Sequence, residues 1–330
     1  MPASPRFARA VFASPLLLAG CFGSNALPGA SSSAPVHARA EPTGAPSSAV
    51  CAGRNPQPPN ATWKVTVAGR ERTFVVHVPP SYDPAKPTPV VLNVHGYRMT
   101  PKLEDWLTGM AAKADQAGFV VVYPLGTGSP TSFNGGACCG DAAHDGVGDV
   151  AFVRAILDAL EADLCVDRRR VYATGMSNGG IMSHRLACEL SDRIAAVAPV
   201  SGFNGTKTCA PARAVSVLDF HGTDDPTVPF GGDPKRGWLS IPATMQGWVE
   251  RDGCSADGVE KRLSTHVRCF SHGGCRDGAE VSLCVVEGGG HTWPGGSTVP
   301  WIAGQGETNH EISADDLIWR FFEEHPMPER

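Results

Sequence analysis

Short, nearly continuous apolar runs recur along the chain between residues 90 and 288. They begin at Val90, Phe119, Arg170, Ala195, Val215 and Val281 and read VVLNVH, FVVVYP, RVYATG, AAVAPV, VSVLDFH and VSLCVVEG. Runs of this kind are typical of strands that are buried on both faces of a sheet. Upstream, WKVTVAG from Trp63 and RTFVVHVP from Arg72 carry β-branched residues in near alternation, so we predict two further strands joined through Gly69.

Segments with helical periodicity lie between these runs. They cover residues 102–117, 149–164, 178–190 and about 241–251. A last helix is predicted from Ser313, where Asp316 three residues later gives a capping-box pattern. Two strands followed by alternating strands and helices predict one α/β domain. Its central sheet should be mainly parallel, with helices on both faces and an antiparallel N-terminal edge.

The first 21 residues have the composition of an export signal. Two arginines precede a short apolar stretch that ends in LLLAGC at Cys21. This ending resembles the bacterial lipobox, so residues 1–21 are predicted to be a lipoprotein signal peptide and Cys21 the site of lipidation. An ordinary secretory signal is the alternative. Residues 22–58 are rich in Ala, Ser and Pro, which predicts a disordered tether before a single folded domain at residues 59–330.

The charge balance is slightly acidic. The chain has 28 Lys and Arg against 33 Asp and Glu, a formal net charge of −5, and its basic residues form no dense run. A nucleic-acid partner is therefore not expected, and contact with a membrane is expected only through the N-terminal lipid anchor.

Ten of the eleven cysteines remain when Cys21 is set aside. An even, scattered set in an exported chain predicts disulfide bonds, whereas a zinc site would call for repeated CxxC or HExxH spacing, which the sequence lacks. Cys138 and Cys139 are adjacent, and a bond between them would be strained, so a separate partner is expected for each. The local pairings that we predict are Cys269 with Cys275 and Cys254 with Cys284.

Gly175-Met176-Ser177-Asn178-Gly179 is a G-x-S-x-G sequence. The apolar strand pattern ends at Gly175 and a helical pattern begins after Asn178, which is the strand–turn–helix setting of a nucleophile elbow. The glycines are expected where a Cβ atom would collide with a neighbouring strand or helix. The alternative is an ordinary helix start with Ser177 as its cap.

A serine hydroxyl is a poor nucleophile near neutral pH and needs a base, which in turn needs an orienting acid. In this setting acid and base follow the serine along the chain, in that order. Asp224 and Asp225 come just after a predicted strand. Asp225 is favoured because it precedes Pro226, which biases it toward extended backbone, but Asp224 stays open. His291 lies in VVEGGGHTWPGG, in a glycine-rich loop directly after a strand, and is the predicted base.

The oxyanion of an acyl-transfer intermediate needs two fixed N–H donors. The backbone amides of Asn178 and Tyr97 are predicted to supply them, because one follows the serine and the other lies in the loop after VVLNVH. His95 and His221 each precede a glycine at a strand end, and packing with loop hydrogen bonding is the favoured interpretation of both. No metal is predicted, since ligand spacing is lacking in the set His95, His144, His221 and His291.

Four segments together resemble one family: RVYATGMSNGG, FNGGACCGDA, HGTDDPTVPF and GGGHTWPGG. They are similar to the secreted feruloyl esterase and poly(3-hydroxybutyrate) depolymerase family of α/β-hydrolases, over about residues 60–325. The resemblance implies the α/β-hydrolase fold, with Ser177 as nucleophile, Asp225 as acid and His291 as base. Its H-G-x-x-D pattern selects Asp225 over Asp224. It also implies that Trp293 lines or buttresses the substrate pocket, with simple core packing as the alternative, and that no cofactor is needed.

The resemblance implies an exported serine carboxylic-ester hydrolase. Aryl or acetyl esters of polysaccharide are the expected substrates, and hydroxyalkanoate oligoesters are the alternative. The chain shows no polymer-binding module and begins like a lipoprotein, and both features weaken an action on solid polymer granules. Two other hypotheses stay open: an acyltransferase that uses the same triad, and a non-catalytic surface lipoprotein that uses the fold for binding.

Overall fold

The computed structural model of the protein describes residues 51, 61–298 and 304–329. The predicted signal peptide, the lipidation site at Cys21 and most of the predicted tether lie outside these residues. Within them the strands are β1 Ala61–Val67, β2 Arg70–His77, β3 Thr88–Val94, β4 Val120–Pro124, β5 Val166–Met176, β6 Ala196–Val200, β7 Ser216–Gly222, β8 Val259–Arg262, β9 Val267–His272 and β10 Val281–Val286. They form one ten-stranded sheet with the order β1-β2-β4-β3-β5-β6-β7-β10-β9-β8. The helices are α1 Pro101–Thr108, α2 Met110–Ala117, α3 Gly140–His144, α4 Asp149–Asp163, α5 Asn178–Glu189, α6 Ile241–Asp252 and α7 Ala314–Glu324.

The central strands are parallel, and both edges of the sheet are antiparallel. Strand β3 pairs in parallel with β4 and β5, and the parallel ladder continues through β6 and β7 to β10. The predicted N-terminal edge is confirmed, since β1, β2 and β4 are antiparallel neighbours. The second edge, formed by β9 and β8, was not predicted. All four residues of β8 (VEKR) are exposed, so this strand carries no apolar pattern in the sequence.

The segment predicted as one helix over residues 102–117 is two helices. Gly109 separates them in a left-handed conformation, with φ at 77°. Its N–H donates to Asp105 O, which closes α1, and α2 begins at the next residue. A glycine in this conformation is a common helix terminator. The helix therefore ends at Gly109, although the helical period of apolar positions continues past it.

The core lies on both faces of the sheet. Phe152 of α4 and Trp248 of α6 are fully buried on one face. On the other face, two aromatic rings of α7 stack on rings of the sheet side. Trp319 stacks on Phe119, and Phe322 stacks on Tyr172. No helix in the described part of the chain is both long enough and apolar enough to cross a bilayer.

All ten cysteines in the described residues are paired, as their even number predicted. The pairs are Cys51–Cys165, Cys138–Cys139, Cys188–Cys209, Cys254–Cys275 and Cys269–Cys284. Both predicted local pairings are therefore wrong. Cys269 and Cys284 are direct cross-strand partners of β9 and β10, a register that depends on the unpredicted strand β9. Separate partners for Cys138 and Cys139 are also wrong: the peptide bond between them is cis, with the Cα atoms 3.1 Å apart, and they bond to each other.

Candidate active site

Ser177 stands at the junction of β5 and α5, at the carboxyl edge of the parallel strands. Its backbone has φ 58° and ψ −117°, a conformation that a residue with a side chain rarely adopts. The chain on both sides fixes this conformation, because Ser177 N–H donates to Val200 O and Ser177 O accepts from Ile181 N–H, both at 2.9 Å. The hydroxyl is thus carried on a sharp turn before the positive N-terminal end of a 12-residue helix.

The glycines around Ser177 are required by close packing, as the sequence predicted. A Cβ atom on Gly175 or on Gly179 would overlap the carbonyl oxygen of Val94 on the neighbouring strand β3. A Cβ atom on Gly180 would lie 2.8 Å from Val200 O. The turn can therefore form only where the backbones of β3, β5, β6 and α5 approach without side chains between them.

His291 and Asp225 are brought together by the loops after β10 and β7. Nδ1 of His291 lies 2.7 Å from Oδ2 of Asp225, and both side chains are almost completely buried. The backbone N–H groups of Thr227 and Val228 each donate to Oδ1 of Asp225 at 2.8 Å, which fixes the carboxylate. Asp224, the competing candidate, is exposed and accepts from the Thr223 hydroxyl instead.

The environment of Asp225 favours its charged form. Burial by itself raises the pKa of this carboxyl, but hydrogen bonds from His221 and His291 outweigh burial and hold the pKa well below its ordinary value. A carboxylate can only accept hydrogen bonds, so Nδ1 of a neutral His291 carries the proton and its Nε2 is a free base. This arrangement gives an imidazole the tautomer that general-base chemistry needs.

Ser177 and His291 line the same cavity, which has a volume of about 980 Å³. One part of its wall is apolar and comes from the loop after β3 and from α1, with Met99, Leu103 and Leu107. Polar groups complete the lining and include Arg98, Thr227, Thr292, Gln305 and Glu307. A cavity that combines an apolar wall with polar groups beside a serine hydroxyl suits a small organic acyl group.

The predicted oxyanion residues lie beside Ser177. Asn178 is the first residue of α5, so its N–H belongs to the helix end whose amides have no partner within the helix. Gly96 and Tyr97 line the cavity, and a Cβ atom built on Gly96 would lie 3.6 Å from Ser177 Cβ. The side chain of Asn178 points elsewhere: it exchanges two hydrogen bonds with the backbone of Phe133, at 2.7 and 2.9 Å.

His95 braces the loop that carries Tyr97, which agrees with the packing role favoured from the sequence. Its Nδ1 donates to Gly96 O at 2.8 Å and its Nε2 accepts from Gly126 N–H at 3.0 Å. Burial lowers the pKa of His95 to about 4, so this ring is neutral at physiological pH. The ring therefore holds the end of β3 against the loop after β4.

Trp293 lies behind the cavity rather than on its surface. The side chain is 1% exposed, is absent from the cavity lining and donates from Nε1 to Asp315 at 3.0 Å. This position fits buttressing or simple core packing, and the buried ring offers no surface for substrate. Burial raises the pKa of Asp315 to about 7, and that of the neighbouring, fully buried Glu104 to about 8.

Sequence reasoning missed two polar networks beside the site. Asp149 accepts from Arg72 at 2.8 Å and from Asn134 N–H at 2.8 Å, so this buried ion pair holds the loop that contains Cys138 and Cys139. The second network extends behind Asp225. For the second network, the signal was Asp219 inside the apolar run VSVLDFH, which marks a buried polar group but not its partner. The first network left no such signal, because Arg72 follows two charged residues and Asp149 begins α4. Among the described residues, no three His, Cys, Asp or Glu side chains are grouped so as to hold a metal ion.

Comparison with known proteins agrees with this architecture. Residues 73–244 match the family model described as esterase PHB depolymerase. Feruloyl esterase B of Piromyces equi is 32% identical over 237 residues, which cover 67% of this chain but only 42% of that protein. NocK of Nocardia uniformis subsp. tsuyamanensis, whose name proposes an esterase, is 32% identical over 286 residues, 78% of this chain and 81% of that protein.

A solved structure shares the fold. The acetyl xylan esterase from Aspergillus awamori superposes with a TM-score of 0.58 at 18% identity, over 80% of this chain and 99% of that one. At this identity the likeness concerns the fold alone, and it confirms the predicted α/β-hydrolase architecture. The family model, the identity to relatives and the fold lead to one conclusion: the chain belongs to the esterase PHB depolymerase family.

Proposed function

We propose that the protein is a serine carboxylic-ester hydrolase with Ser177 as nucleophile, His291 as general base and Asp225 as the residue that orients the base. One observation carries the proposal. A serine in a strained backbone conformation lines the same cavity as a histidine whose other ring nitrogen is hydrogen-bonded to a buried aspartate. The membership of an esterase family supports the same activity.

The reaction follows from the protonation states. Nε2 of His291 removes the proton of Ser177 Oγ as that oxygen attacks the ester carbonyl carbon, and the amides of Asn178 and Tyr97 hold the oxyanion that forms. The imidazolium then gives the proton to the departing alcohol, which leaves an acyl group on Ser177. Water, deprotonated by the same nitrogen, attacks the acyl carbonyl, and the acid leaves as Ser177 recovers its proton.

The proposed substrates are aryl or acetyl esters of polysaccharide. The relative named feruloyl esterase B supports an aryl acid, and the apolar wall of Met99, Leu103 and Leu107 offers a surface on which an aromatic ring could pack. The polar rim, with Gln305 and Glu307, suits a sugar alcohol. Hydroxyalkanoate oligoesters are the second candidate, favoured by the description of the family model.

A parallel panel tests the activity and ranks the substrates. Methyl ferulate, acetylated xylan and 3-hydroxybutyrate oligomers are incubated with the wild type and with Ser177→Ala, and released acid is measured. The proposal expects turnover of at least one ester and a loss of about 10⁴-fold or more in the variant. Equal rates in wild type and variant would refute it.

An acyl acceptor separates hydrolysis from transfer. The same panel is repeated with a soluble xylo-oligosaccharide at high concentration. A hydrolase releases free acid whether or not the sugar is added. Transfer of most of the acyl group to the sugar would instead assign the acyltransferase alternative on the same three residues.

We also propose that the chain is exported and held by a lipid on Cys21. The five disulfides support an oxidising compartment. In a bacterial host, the full-length chain should partition with membranes and lose this association in Cys21→Ser. If the wild type were soluble and carried no lipid, the lipid anchor would be refuted and the ordinary secretory signal would be the remaining interpretation of residues 1–21.

A further inference from the structure

Buried polar side chains continue from the Asp225 carboxylate into the interior of the protein. His221 comes first, then Asp219 on the same strand β7, then His184 on α5. These three residues are at most 1% exposed. Nε2 of His221 lies 2.8 Å from Val228 O and 3.4 Å from Oδ2 of Asp225, the oxygen that also faces His291. The proposed reaction uses none of these three side chains.

The protonation of this network can be followed from its far end. Trp248 can only donate, and its Nε1–H lies 3.0 Å from Nδ1 of His184, so that nitrogen is an acceptor. The proton of a neutral His184 is therefore on Nε2, which donates to Oδ2 of Asp219 at 3.2 Å. His184 is thus a neutral donor to the Asp219 carboxyl group.

His221 is fixed in the same way at one nitrogen. A carbonyl oxygen can only accept, so Nε2 of His221 carries a proton directed at Val228 O. Its Nδ1 faces Oδ1 of Asp219 at 3.9 Å, and neither atom has a hydrogen-bond partner among the described residues. Two bare lone pairs that face each other in a buried site would repel, which favours a proton on one of these two atoms.

We propose that this proton is on His221, which is an imidazolium at neutral pH and a positioning residue for the catalytic carboxylate. Its charge is shared between Asp219 and Asp225. The positive charge of His221 offsets the buried carboxylate of Asp219. Its Nε2–H also fixes Asp225 and competes with His291 for Oδ2 of Asp225. The charge of His221 does not depend on the proposed function, whereas its effect on catalysis does.

The surrounding charges support the imidazolium. Burial alone lowers the pKa of His221, but the hydrogen bond with Asp225 and the charges of Asp219 and Asp225 outweigh burial and raise it. The other titratable groups that contact Asp219 or Asp225 among the described residues are His184, which is neutral by its hydrogen bonds, and His291. Asp224, in the same loop, is exposed and bonds to Thr223. The Phe230 ring, 6.1 Å away edge-on, carries no charge.

The charge of His221 should set the acid limb of the pH–rate profile. His221 and His291 contact one oxygen of Asp225, so their rings lie within about 6 Å of each other. A positive charge at that distance repels a proton on the base and keeps the base free at lower pH. Removing the charge should move the acid limb of kcat/KM to higher pH by about 1 unit.

Two variants remove the charge and keep the shape. In His221→Gln, the amide nitrogen can still donate toward Val228 O and Asp225. In Asp219→Asn, the amide oxygen can accept from His184 while its nitrogen donates to Nδ1 of His221, which stabilises the neutral ring. Both should shift the acid limb upward. His77→Gln is the matched control, since His77 also pairs with an aspartate but lies on β2 outside the cavity lining, and it should leave the limb in place.

The charge is measured directly by NMR of the imidazole nitrogens in the ¹⁵N-histidine wild type, assigned through His221→Gln. Two protonated nitrogens on His221 between pH 6 and 8 support the proposal. One protonated nitrogen in that range overturns it, as does an acid limb unmoved in both variants. The NMR result needs no activity, so it still decides the charge of His221 if Ser177→Ala shows that the proposed function is wrong.

Discussion

Replacing Glu104 with glutamine should remove a large part of the pH dependence of stability. Glu104 is completely buried on α1, and burial raises the pKa of its carboxyl from 4.5 to about 8. The backbone of Met176 and Gly96 partly opposes this shift. Neither carboxyl oxygen has a hydrogen bond of normal geometry within the described residues, so these backbone groups offset only part of the cost of burying the charge.

The sign and size follow from proton linkage. Between pH 4.5 and about 8 the native state keeps a proton that the unfolded chain has released, so the free energy of unfolding falls as pH rises. At pH 7 the native state is destabilised by about 3 kcal/mol, with a limit of about 5 kcal/mol above pH 8. Glutamine resembles the protonated acid at every pH. The variant should therefore match the wild type near pH 4 and exceed its stability by about 3 kcal/mol at pH 7.

Urea unfolding without reductant at pH 5, 6, 7 and 8 measures this difference. Glu71→Gln is the control, because the Glu71 side chain is 61% exposed in an ion pair with Lys64 on the sheet edge. The control should follow the wild type within about 0.5 kcal/mol at each pH. If Glu104→Gln ran parallel to the wild type across the series, the buried, protonated state of Glu104 would be refuted.

Three further predictions concern the site and its scaffold. Asp225→Asn should lower kcat by about 10³–10⁴ with little change in KM, measured on the best ester of the panel, because the base loses its correct tautomer; a loss below tenfold would contradict this role. Gly179→Ala should destabilise the fold by more than about 4 kcal/mol or prevent folding, because its Cβ would overlap a backbone carbonyl. Gly231→Ala is the control and should change the stability by no more than about 1 kcal/mol, because no atom lies within 4 Å of its Cβ position. Equal melting temperatures of the two variants would contradict the close packing at Gly179. Replacing both Cys269 and Cys284 by alanine should lower the free energy of unfolding by about 3 kcal/mol, because the bridge closes a loop of 15 residues. Non-reducing peptide maps of the wild type should recover the pair Cys269–Cys284 and not Cys269 with Cys275.

The sequence predicted the parts of the fold that apolar period and turn chemistry determine locally. Continuous apolar runs marked the buried parallel strands, and G-x-S-x-G between strand and helix marked the turn at Ser177. The glycine positions carried real steric information, since Gly175 and Gly179 pack against one carbonyl of β3. The choice between Asp224 and Asp225 needed a family pattern, because both follow the same strand.

Long-range pairings were not accessible in the same way. The exposed strand β8 has no apolar pattern, and without the β9–β10 register the pairing of Cys269 with Cys284 has no local signal. The split of the helix at Gly109 depends on a backbone conformation that a glycine permits but does not require. The burial of Glu104 depends on residues far away in the chain, such as Met176 and Asp315. The contacts of His221 with Asp219, Asp225 and Val228 are close in sequence, but they depend on side-chain orientations that the sequence does not specify.

Covalent labelling shows whether Ser177 is the activated nucleophile without any assumption about the substrate. A fluorophosphonate probe reacts with an activated serine, and digestion followed by mass spectrometry locates the adduct. If Ser177 is the nucleophile, one adduct forms on the peptide that contains Ser177, and none forms in folded Ser177→Ala. An adduct on another residue, or equal labelling of wild type and variant, would contradict this assignment.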